Sequence, residues 1–187
     1  MLVSTDVLEG RLATYEELLL KWSASLNLVS KNTLNDIRRR HFADSLQLTP
    51  FLKPEDSVID IGAGAGFPGM VLAMAGFNLT LVESDQKKCV FLENVSRETQ
   101  TPVKIVCDRI ENFVTEDKTF DVVCSRGVAS LSTLISWSTH LVEKEKSKGL
   151  FLKGENVVSE LKEISSDKFS KIESVSNPGS YIIQYQY

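Results

Sequence analysis

One short stretch of the sequence combines a carboxylate with several glycines where a predicted strand meets a predicted helix. It reads VIDIGAGAGFPGMVLAMAG, from Val58 to Gly76. Residues Val58 to Ile61 form a β-branched run that is typical of a buried strand. Gly62, Gly64 and Gly66 lack a Cβ, so the backbone can turn sharply there and a ligand can approach closely. The stretch therefore predicts the ligand-binding corner of a βαβ unit.

The carboxylate of this stretch, Asp60, bears on which ligand the corner would bind. Residues Gly64 to Gly69 match the dinucleotide pattern G-x-G-x-x-G, and Glu83 follows at the spacing of a ribose-binding acid. A dinucleotide would bring its pyrophosphate to the loop, where Asp60 would repel it. S-adenosylmethionine carries an ammonium and a sulfonium and no phosphate, so Asp60 would attract it. Asp60 could also cap the amides of the loop itself, with or without a ligand.

Further polar residues follow the next predicted strands, at the carboxyl ends where open parallel sheets bind ligands. Glu83 ends the second strand, where its two oxygens could accept both ribose hydroxyls of an adenosine. Asp108, Ile110 and Glu111 follow the third strand and would place an apolar side chain and a loop amide against an adenine. Arg126 follows the fourth strand, next to the reactive group. Each residue also has a structural interpretation, but four strand ends in order favour one nucleoside site.

These residues require a parallel sheet, and the sequence between them alternates accordingly. Strands are predicted over Val58–Ile61, Leu79–Glu83, Val103–Cys107, Phe120–Ser125 and Gly149–Lys153, with helices over Met70–Ala75, Gln86–Thr99 and Ser132–Leu141. Two further strands, Lys168–Val175 and Tyr181–Tyr187, flank an Asn-Pro-Gly turn and predict an antiparallel hairpin. The pattern predicts an α/β fold with a doubly wound, mostly parallel sheet and a C-terminal hairpin.

Residues 1–54 predict a helical extension that precedes the sheet. Apolar residues recur at three- and four-residue intervals from Leu8 to Trp22, which indicates an amphipathic helix. Turn-forming residues then interrupt the pattern, and a second helix is predicted over Asn35–Phe51, before Pro54. We therefore expect a helical extension over residues 1–54 and a single globular domain over residues 55–187.

Composition predicts a soluble protein of the cytoplasm. Hydrophobic residues make up 42% of the 187 positions and charged residues 25%, and no apolar run approaches membrane-spanning length. The three cysteines are odd in number and lack C-x-x-C spacing, which predicts reduced thiols and no metal site. The net charge of −4 gives no general signal for nucleic acid, so any RNA contact must come from a local basic patch.

The dense basic run Arg38-Arg39-Arg40-His41 is the candidate for such a patch. One interpretation is a solvated helix face, with Arg40 paired to Asp44 four residues along. The other is a contact with RNA phosphates. The sequence leaves both interpretations open for Arg38 and Arg39.

Five stretches of the sequence carry a family resemblance. They are RHFADS (Arg40–Ser45), DIGAGAGFPG (Asp60–Gly69), DRIENF (Asp108–Phe113), SRGVAS (Ser125–Ser130) and FLKG (Phe151–Gly154). The glycine loop alone would indicate only a methyltransferase. Together with the R-H-x-x-D-S and S-R-x-x-A-S stretches it resembles the bacterial small-subunit rRNA guanine-N7 methyltransferase family, of the RsmG (GidB) type. The likeness extends from about Trp22 to Gly154.

The resemblance implies a Rossmann-like class I methyltransferase fold, S-adenosylmethionine as cofactor, and 16S rRNA or the small ribosomal subunit as partner. It implies cofactor contacts at Gly62, Phe67, Ile110, Glu111 and Arg126, of which Phe67 rests on the resemblance alone. The predicted cofactor site is completed by residues chosen from the strand ends and the loop, namely Asp60, Gly64, Gly66 and Glu83. The RNA-facing site implied by the resemblance consists of Arg40, His41, Asp44 and Ser45.

The chemistry of such an enzyme needs no general base. Guanine N7 carries a lone pair and no proton, so catalysis would consist mainly of positioning and electrostatics. Arg126 is the predicted catalytic residue, because a guanidinium there could orient the base or hold the carboxylate of the cofactor. We expect a monomer. The alternatives are an NAD-dependent oxidoreductase, which rests only on the G-x-G-x-x-G string, and a non-catalytic RNA-binding module with the same fold.

Overall fold

A computed structural model describes residues 2–115 and 119–187, and seven strands within them form one sheet. The strands are β1 (Ser57–Ile61), β2 (Asn78–Glu83), β3 (Lys104–Cys107), β4 (Val122–Arg126), β5 (Lys148–Lys153), β6 (Phe169–Glu173) and β7 (Tyr181–Gln186). Their order across the sheet is β3-β2-β1-β4-β5-β7-β6, and β1 to β5 are parallel. Strand β7 is antiparallel to both β5 and β6. The predicted parallel sheet with a C-terminal hairpin is confirmed.

Helices cover both faces of this sheet. They are α1 (Thr5–Ser23), α2 (Asp44–Leu46), α3 (Gly69–Met74), α4 (Gln86–Glu98), α5 (Leu131–Ser138) and α6 (Val157–Glu160). Helices α1, α3 and α4 contribute to the apolar cluster on one face, and α5 and α6 contribute to the cluster on the other. The strand order reverses between β1 and β4, so a crevice for a ligand is expected beyond Ile61 and Arg126.

The segment predicted as a helix over Asn35–Phe51 is helical through residue 46 but is not one regular α-helix. A 3₁₀ segment (Lys31–Asp36), a π-helical segment (Arg38–Ala43), the single turn α2 and a 3₁₀ turn (Thr49–Phe51) take its place. Pro50 lacks an amide hydrogen, and the guanidinium of Arg126 donates to the carbonyl of Arg40 at 3.3 Å. Hydrophobic periodicity does not report the missing amide hydrogen of a proline. It also does not report the contact with Arg126, which lies on a distant strand.

The N-terminal segment packs into the same core as the sheet. Leu12, Tyr15 and Leu19 of α1 are buried in one cluster with Met70 and Phe91. The division at residue 54 stays a prediction. Within the described residues, no helix is both long enough and apolar enough to cross a membrane.

Candidate active site at the carboxyl ends of the strands

The glycine loop after β1 is held from beneath by Asp60. This residue is fully buried, and its Oδ2 accepts a hydrogen bond from the amide of Gly69 at 2.8 Å. A Cβ at Gly69 would lie 2.7 Å from that oxygen, so only glycine allows this approach. Asp60 Oδ1 has no hydrogen-bond partner among the described residues, and burial raises the pKa of Asp60 to about 7. Of the two interpretations, Asp60 adopts the loop-capping one here; its contact with a cationic ligand stays a prediction.

Glu83 fixes the same loop from the end of β2. Its Oε2 accepts from the amide of Gly64 at 2.7 Å and its Oε1 from the amide of Asp85 at 2.8 Å. Asp85, not Glu83, caps helix α4 by accepting from the amide of Lys87. The predicted ribose contact of Glu83 stays a prediction, and its oxygens retain lone pairs for it.

A cavity of about 140 Å³ lies between the glycine loop and the end of β3; we call it the β3-side cavity. It is lined by Gly62, Asp108, Ile110, Glu111, Val128 and Trp137, among others. Gly62 has a φ of +67°, and a Cβ there would lie 2.7 Å from Val128. The structure thus brings together three of the residues predicted to bind the cofactor, Gly62, Ile110 and Glu111.

Three other predicted cofactor residues shape the loop without lining this cavity. Gly64 and Gly66 both have a positive φ, and a Cβ at Gly66 would lie 2.7 Å from the hydroxyl of Tyr15. Phe67 is only 3% exposed, and its ring stacks on those of Tyr15 and His41, with centroids 5.4 and 4.8 Å away. In this structure Phe67 occupies a packing position, and its cofactor contact stays a prediction.

Arg126 reaches from the end of β4 to the N-terminal segment. Its Nη1 lies 3.3 Å from Asp44 Oδ2 and donates to the Arg40 carbonyl, while its Nη2 is 2.9 Å from His41 Nδ1. The guanidinium also lies over the ring of Phe67, 4.7 Å from its centroid. The side chain is 20% exposed, and burial lowers the pKa of Arg126, an effect that Asp44 opposes. Arg126 is therefore both an ion-pair partner and a wall of the crevice.

The contacts of His41 define its tautomer. Arg126 can only donate, so His41 Nδ1 accepts and Nε2 carries the proton. Nε2 then donates to Thr33 Oγ1 at 2.9 Å, and that hydroxyl donates to the carbonyl of Ser30 at 2.8 Å. Burial and the charge of Arg126 lower the pKa of His41 to about 4. His41 is thus neutral near pH 7 and has both ring nitrogens engaged.

Asp44 joins this arginine to the β6–β7 turn. Its Oδ1 accepts from Gln47 Nε2 at 2.8 Å and from Ser176 Oγ at 2.9 Å, while its Oδ2 pairs with Arg126. The neighbouring Ser45 is fully buried and donates to the His41 carbonyl at 2.7 Å. Both residues are buried and hydrogen-bonded within the protein, and their contact with RNA stays a prediction. Asp44 and Ser45 hold Arg126, the β6–β7 turn and the His41 backbone in place.

The basic run divides into paired and unpaired arginines. Arg38 contacts Glu9 at 3.0 Å and Glu16 at 2.8 Å, and Arg39 contacts Asp36 at 2.6 Å. The predicted Arg40–Asp44 pair is wrong, because Asp44 faces the better-placed guanidinium of Arg126. Arg40 is exposed and, within residues 2–115 and 119–187, forms no salt bridge.

A second cavity, of about 230 Å³, lies between the C-terminal hairpin and the arginines Arg40 and Arg126; we call it the hairpin-side cavity. Its walls include Arg40, His41, Asp44, Arg126, Lys153 and Asn177. Gly127 lines this cavity and Val128 the β3-side cavity, so the loop after β4 separates the two. Arg40, His41, Asp44 and Arg126, predicted from separate stretches, thus meet at one place.

Sequence reasoning missed several residues of these walls. Val128 and Lys153 lie in the SRGVAS and FLKG stretches, where the resemblance offered a signal for them. Asn177 was assigned only to a turn, and Trp137 only to a helix. For these two, no signal in the sequence indicated a cavity.

Comparison with known proteins agrees with this geometry. Two solved structures share the fold: a TehB-like SAM-dependent methyltransferase from Corynebacterium glutamicum (TM-score 0.59, 12% identity, 93% of this chain and 98% of that one), and a tRNA methyltransferase from Aquifex aeolicus (TM-score 0.65, 15% identity, 92% and 76%). The expected class I methyltransferase fold is confirmed.

Similarity in sequence is more specific. A protein named ribosomal RNA small subunit methyltransferase G from Paramagnetospirillum magneticum is 41% identical, over 97% of this chain and 89% of its own length. One of the same name from Parvibaculum lavamentivorans is 45% identical, over 85% and 72%. Residues 9–180 match the family described as GidB, rRNA small subunit methyltransferase G. Because this match covers most of the chain and the relatives are more than 40% identical, the chain belongs to the rRNA small subunit methyltransferase G family.

Proposed function

We propose that this protein transfers a methyl group from S-adenosylmethionine to N7 of a guanine in the 16S rRNA of the small ribosomal subunit. The observation that carries the proposal is that two of the cavities at the strand ends are lined by residues predicted to bind the cofactor and the RNA. One is lined by Gly62, Ile110 and Glu111, and the other by Arg40 and Arg126. The relatives support the proposal, because they are named as methyltransferases of small-subunit ribosomal RNA.

The residues present suit S-adenosylmethionine better than a dinucleotide. The carboxyl of Asp60 is buried under the glycine loop with one oxygen unpartnered among the described residues. A cationic ligand there would favour its charged form, whereas a pyrophosphate would oppose it. Gly62, Ile110 and Glu111 would hold the adenosine, since they line the β3-side cavity. No specific observation favours an NAD-dependent oxidoreductase.

The chain supplies position and charge to the reaction. S-adenosylmethionine, when bound, supplies an electrophilic methyl group on its sulfonium. Guanine N7 has no proton to lose, so the reaction needs no general base. His41 in the hairpin-side cavity does not offer one, because Arg126 and Thr33 engage both of its ring nitrogens. Arg126 would orient the base by donating to guanine O6, or hold the cofactor carboxylate, from a fixed position set by Asp44.

Contact with the RNA backbone falls to Arg40 in this account. It is exposed, lines the hairpin-side cavity and lacks an ion-pair partner in the described part of the chain, whereas Arg38 and Arg39 are paired with acids. A free guanidinium at the rim of a base-binding cavity suits a phosphate contact. The monomeric state and the cytoplasmic location stay predictions.

The test uses small ribosomal subunits isolated from cells that lack this protein. The subunits are incubated with the purified protein and S-adenosylmethionine, and the 16S rRNA is digested and analysed by mass spectrometry. We expect a gain of 7-methylguanosine at one position, and none when S-adenosylmethionine is omitted. Methylation of another atom or another nucleoside would contradict the proposal, as would no methylation at all.

A further inference from the structure

The turn between β6 and β7 contains a buried side-chain oxygen, Asn177 Oδ1, that has no hydrogen-bond partner among the described residues. Asn177 is 7% exposed and lines the hairpin-side cavity. Within the described residues, its Oδ1 is one of three buried side-chain atoms that lack a partner, with Ser23 Oγ and Asp60 Oδ1. Buried acceptors are almost always bonded, and this oxygen belongs to a residue that lines a cavity, so we infer that its partner is a ligand donor that a small rotation of the side chain would reach.

The turn does not need this side chain to keep its shape. The Asn177 amide donates to Ser174 Oγ at 3.1 Å, and its carbonyl accepts from the amide of Ser180 at 3.0 Å. The amide of Val175 donates to Gln47 Oε1 at 3.2 Å. Asn in a turn usually bonds its own neighbouring backbone, but Asn177 Oδ1 makes no such bond. The turn is thus held by other groups, and the carboxamide oxygen has no part in holding it.

One carboxylate positions both sides of the cavity. Asp44 Oδ1 accepts from the hydroxyls of Ser176 and Ser174 at 2.9 and 3.3 Å, and Asp44 Oδ2 pairs with Arg126. The turn that carries Asn177 and the guanidinium of Arg126 are therefore fixed relative to each other. The cavity between them has a volume of about 230 Å³.

We propose that Asn177 recognises the target guanine, with Oδ1 accepting a hydrogen bond from the N1–H or the 2-amino group of the base. This inference rests on the proposed function and deepens it. N7 must stay free for methylation, so the base has to be read on another edge. Guanine has donors on its Watson–Crick edge at N1 and at the 2-amino group, whereas adenine has an acceptor at N1 and no 2-amino group. Asp44 is then a positioning residue for Asn177.

The first measurement is methylation of small subunits by Asn177→Ala, Asn177→Asp and the control Val175→Ala. Val175 lies in the same turn and is 89% exposed. We expect Asn177→Ala to lower kcat/KM for the subunit at least tenfold, with unchanged melting and unchanged S-adenosylhomocysteine affinity. Asn177→Asp keeps an acceptor, so it should retain more activity than Asn177→Ala, and Val175→Ala should react at the parent rate.

The second measurement separates base recognition from any failure of the proposed function, because it needs no turnover. The protein with bound S-adenosylhomocysteine is titrated with GMP and with AMP, followed by amide NMR. The parent protein should bind GMP more tightly than AMP, and Asn177→Ala should lose that preference. An equal affinity of the parent for both nucleotides, or the same preference in Asn177→Ala, would overturn the role of Asn177. If the parent protein does not methylate rRNA but still prefers GMP, the proposed function fails and the role of Asn177 in base recognition stands.

Discussion

The β3-side cavity and the hairpin-side cavity lie at the same edge of the sheet but are built in different ways. The first is made by residues that directly follow strands, such as Gly62 after β1 and Ile110 after β3. The second is made by four segments far apart in the chain, held by side-chain pairs such as Arg126 with Asp44. Sheet topology alone therefore places the first, whereas the second depends on specific long-range contacts. Substitutions should affect the two cavities separately.

The largest effect is expected from Arg126→Ala, which removes the central contact of the hairpin-side cavity. Misplacing a reactant by about 1 Å costs on the order of a hundredfold in rate, so methyl transfer should fall by at least about that factor. The ion pair is largely buried, so the variant should also lose up to about 3–5 kcal/mol of stability by leaving Asp44 unpaired. Single-turnover methylation per folded molecule, with thermal melts, measures both.

A double variant, Arg126→Ala with Asp44→Asn, is the control for stability. It removes the uncompensated carboxylate, so melting should recover in part while methylation stays low. If Arg126→Ala methylates at the parent rate per folded molecule, Arg126 serves only as the partner of a structural ion pair, and the hairpin-side cavity has no part in methyl transfer.

Next in size is Gly62→Ala, which is directed at the β3-side cavity. Its Cβ would meet Val128 at 2.7 Å on a backbone with φ of +67°. The added Cβ would push against Val128, which lines the same cavity, so S-adenosylhomocysteine should bind roughly tenfold or more weakly in calorimetry, while GMP binding stays unchanged. Gly127→Ala is the matched control for cofactor affinity, because Gly127 has the same φ but no atom within 4 Å of the added Cβ. Equal losses of cofactor affinity in the two variants would rule out close approach at Gly62.

Asp60→Asn tests how the glycine loop of the β3-side cavity is supported. Burial raises the pKa of Asp60 from 3.8 to about 7, so the folded protein binds its proton more tightly than the unfolded chain does. Stability from this group is complete below about pH 4 and is lost as the pH rises towards 7, by up to about 1.4 kcal/mol per unit. Denaturant unfolding from pH 4 to pH 7 should show the parent losing stability relative to Asp60→Asn. Parallel profiles would mean that the carboxyl stays charged throughout.

The smallest effect is expected from Arg40→Gln, at the rim of the hairpin-side cavity. Loss of one phosphate contact should weaken RNA binding several-fold and reduce the salt slope by about 0.7–0.9. Arg39→Gln is the control, since Arg39 is already paired with Asp36. Filter binding of a 16S rRNA fragment at several salt concentrations compares them, and equal slopes for both variants would remove Arg40 from the RNA interface.

The elements of the sheet could be predicted from the sequence because their signals are local. The β-branched run before Gly62 and the Asn-Pro-Gly turn before β7 each report the conformation of their own neighbours. The order of strand ends then follows from the handedness of parallel crossovers, which placed Ile110 and Glu111 beside Gly62.

The hairpin-side cavity could not be predicted to the same extent. Arg126 and Asp44 are 82 residues apart, and the local rule assigned Asp44 to Arg40 instead. The departure of residues 35–51 from a regular α-helix depends in part on the contact of Arg126 with the Arg40 carbonyl, which lies 86 residues away in the chain. The basic run and the family resemblance both pointed to the segment that contains His41 and Asp44, but neither specified what these side chains contact.

Hydrogen exchange with and without S-adenosylhomocysteine reports which of the two cavities holds the cofactor. We predict added protection at residues 61–67 and 108–112, around Gly62 and Ile110, and no change in the turn over residues 174–180. NAD should protect neither region. Protection of the turn without protection of residues 108–112, or protection by NAD at the glycine loop, would contradict the assignment of the two cavities.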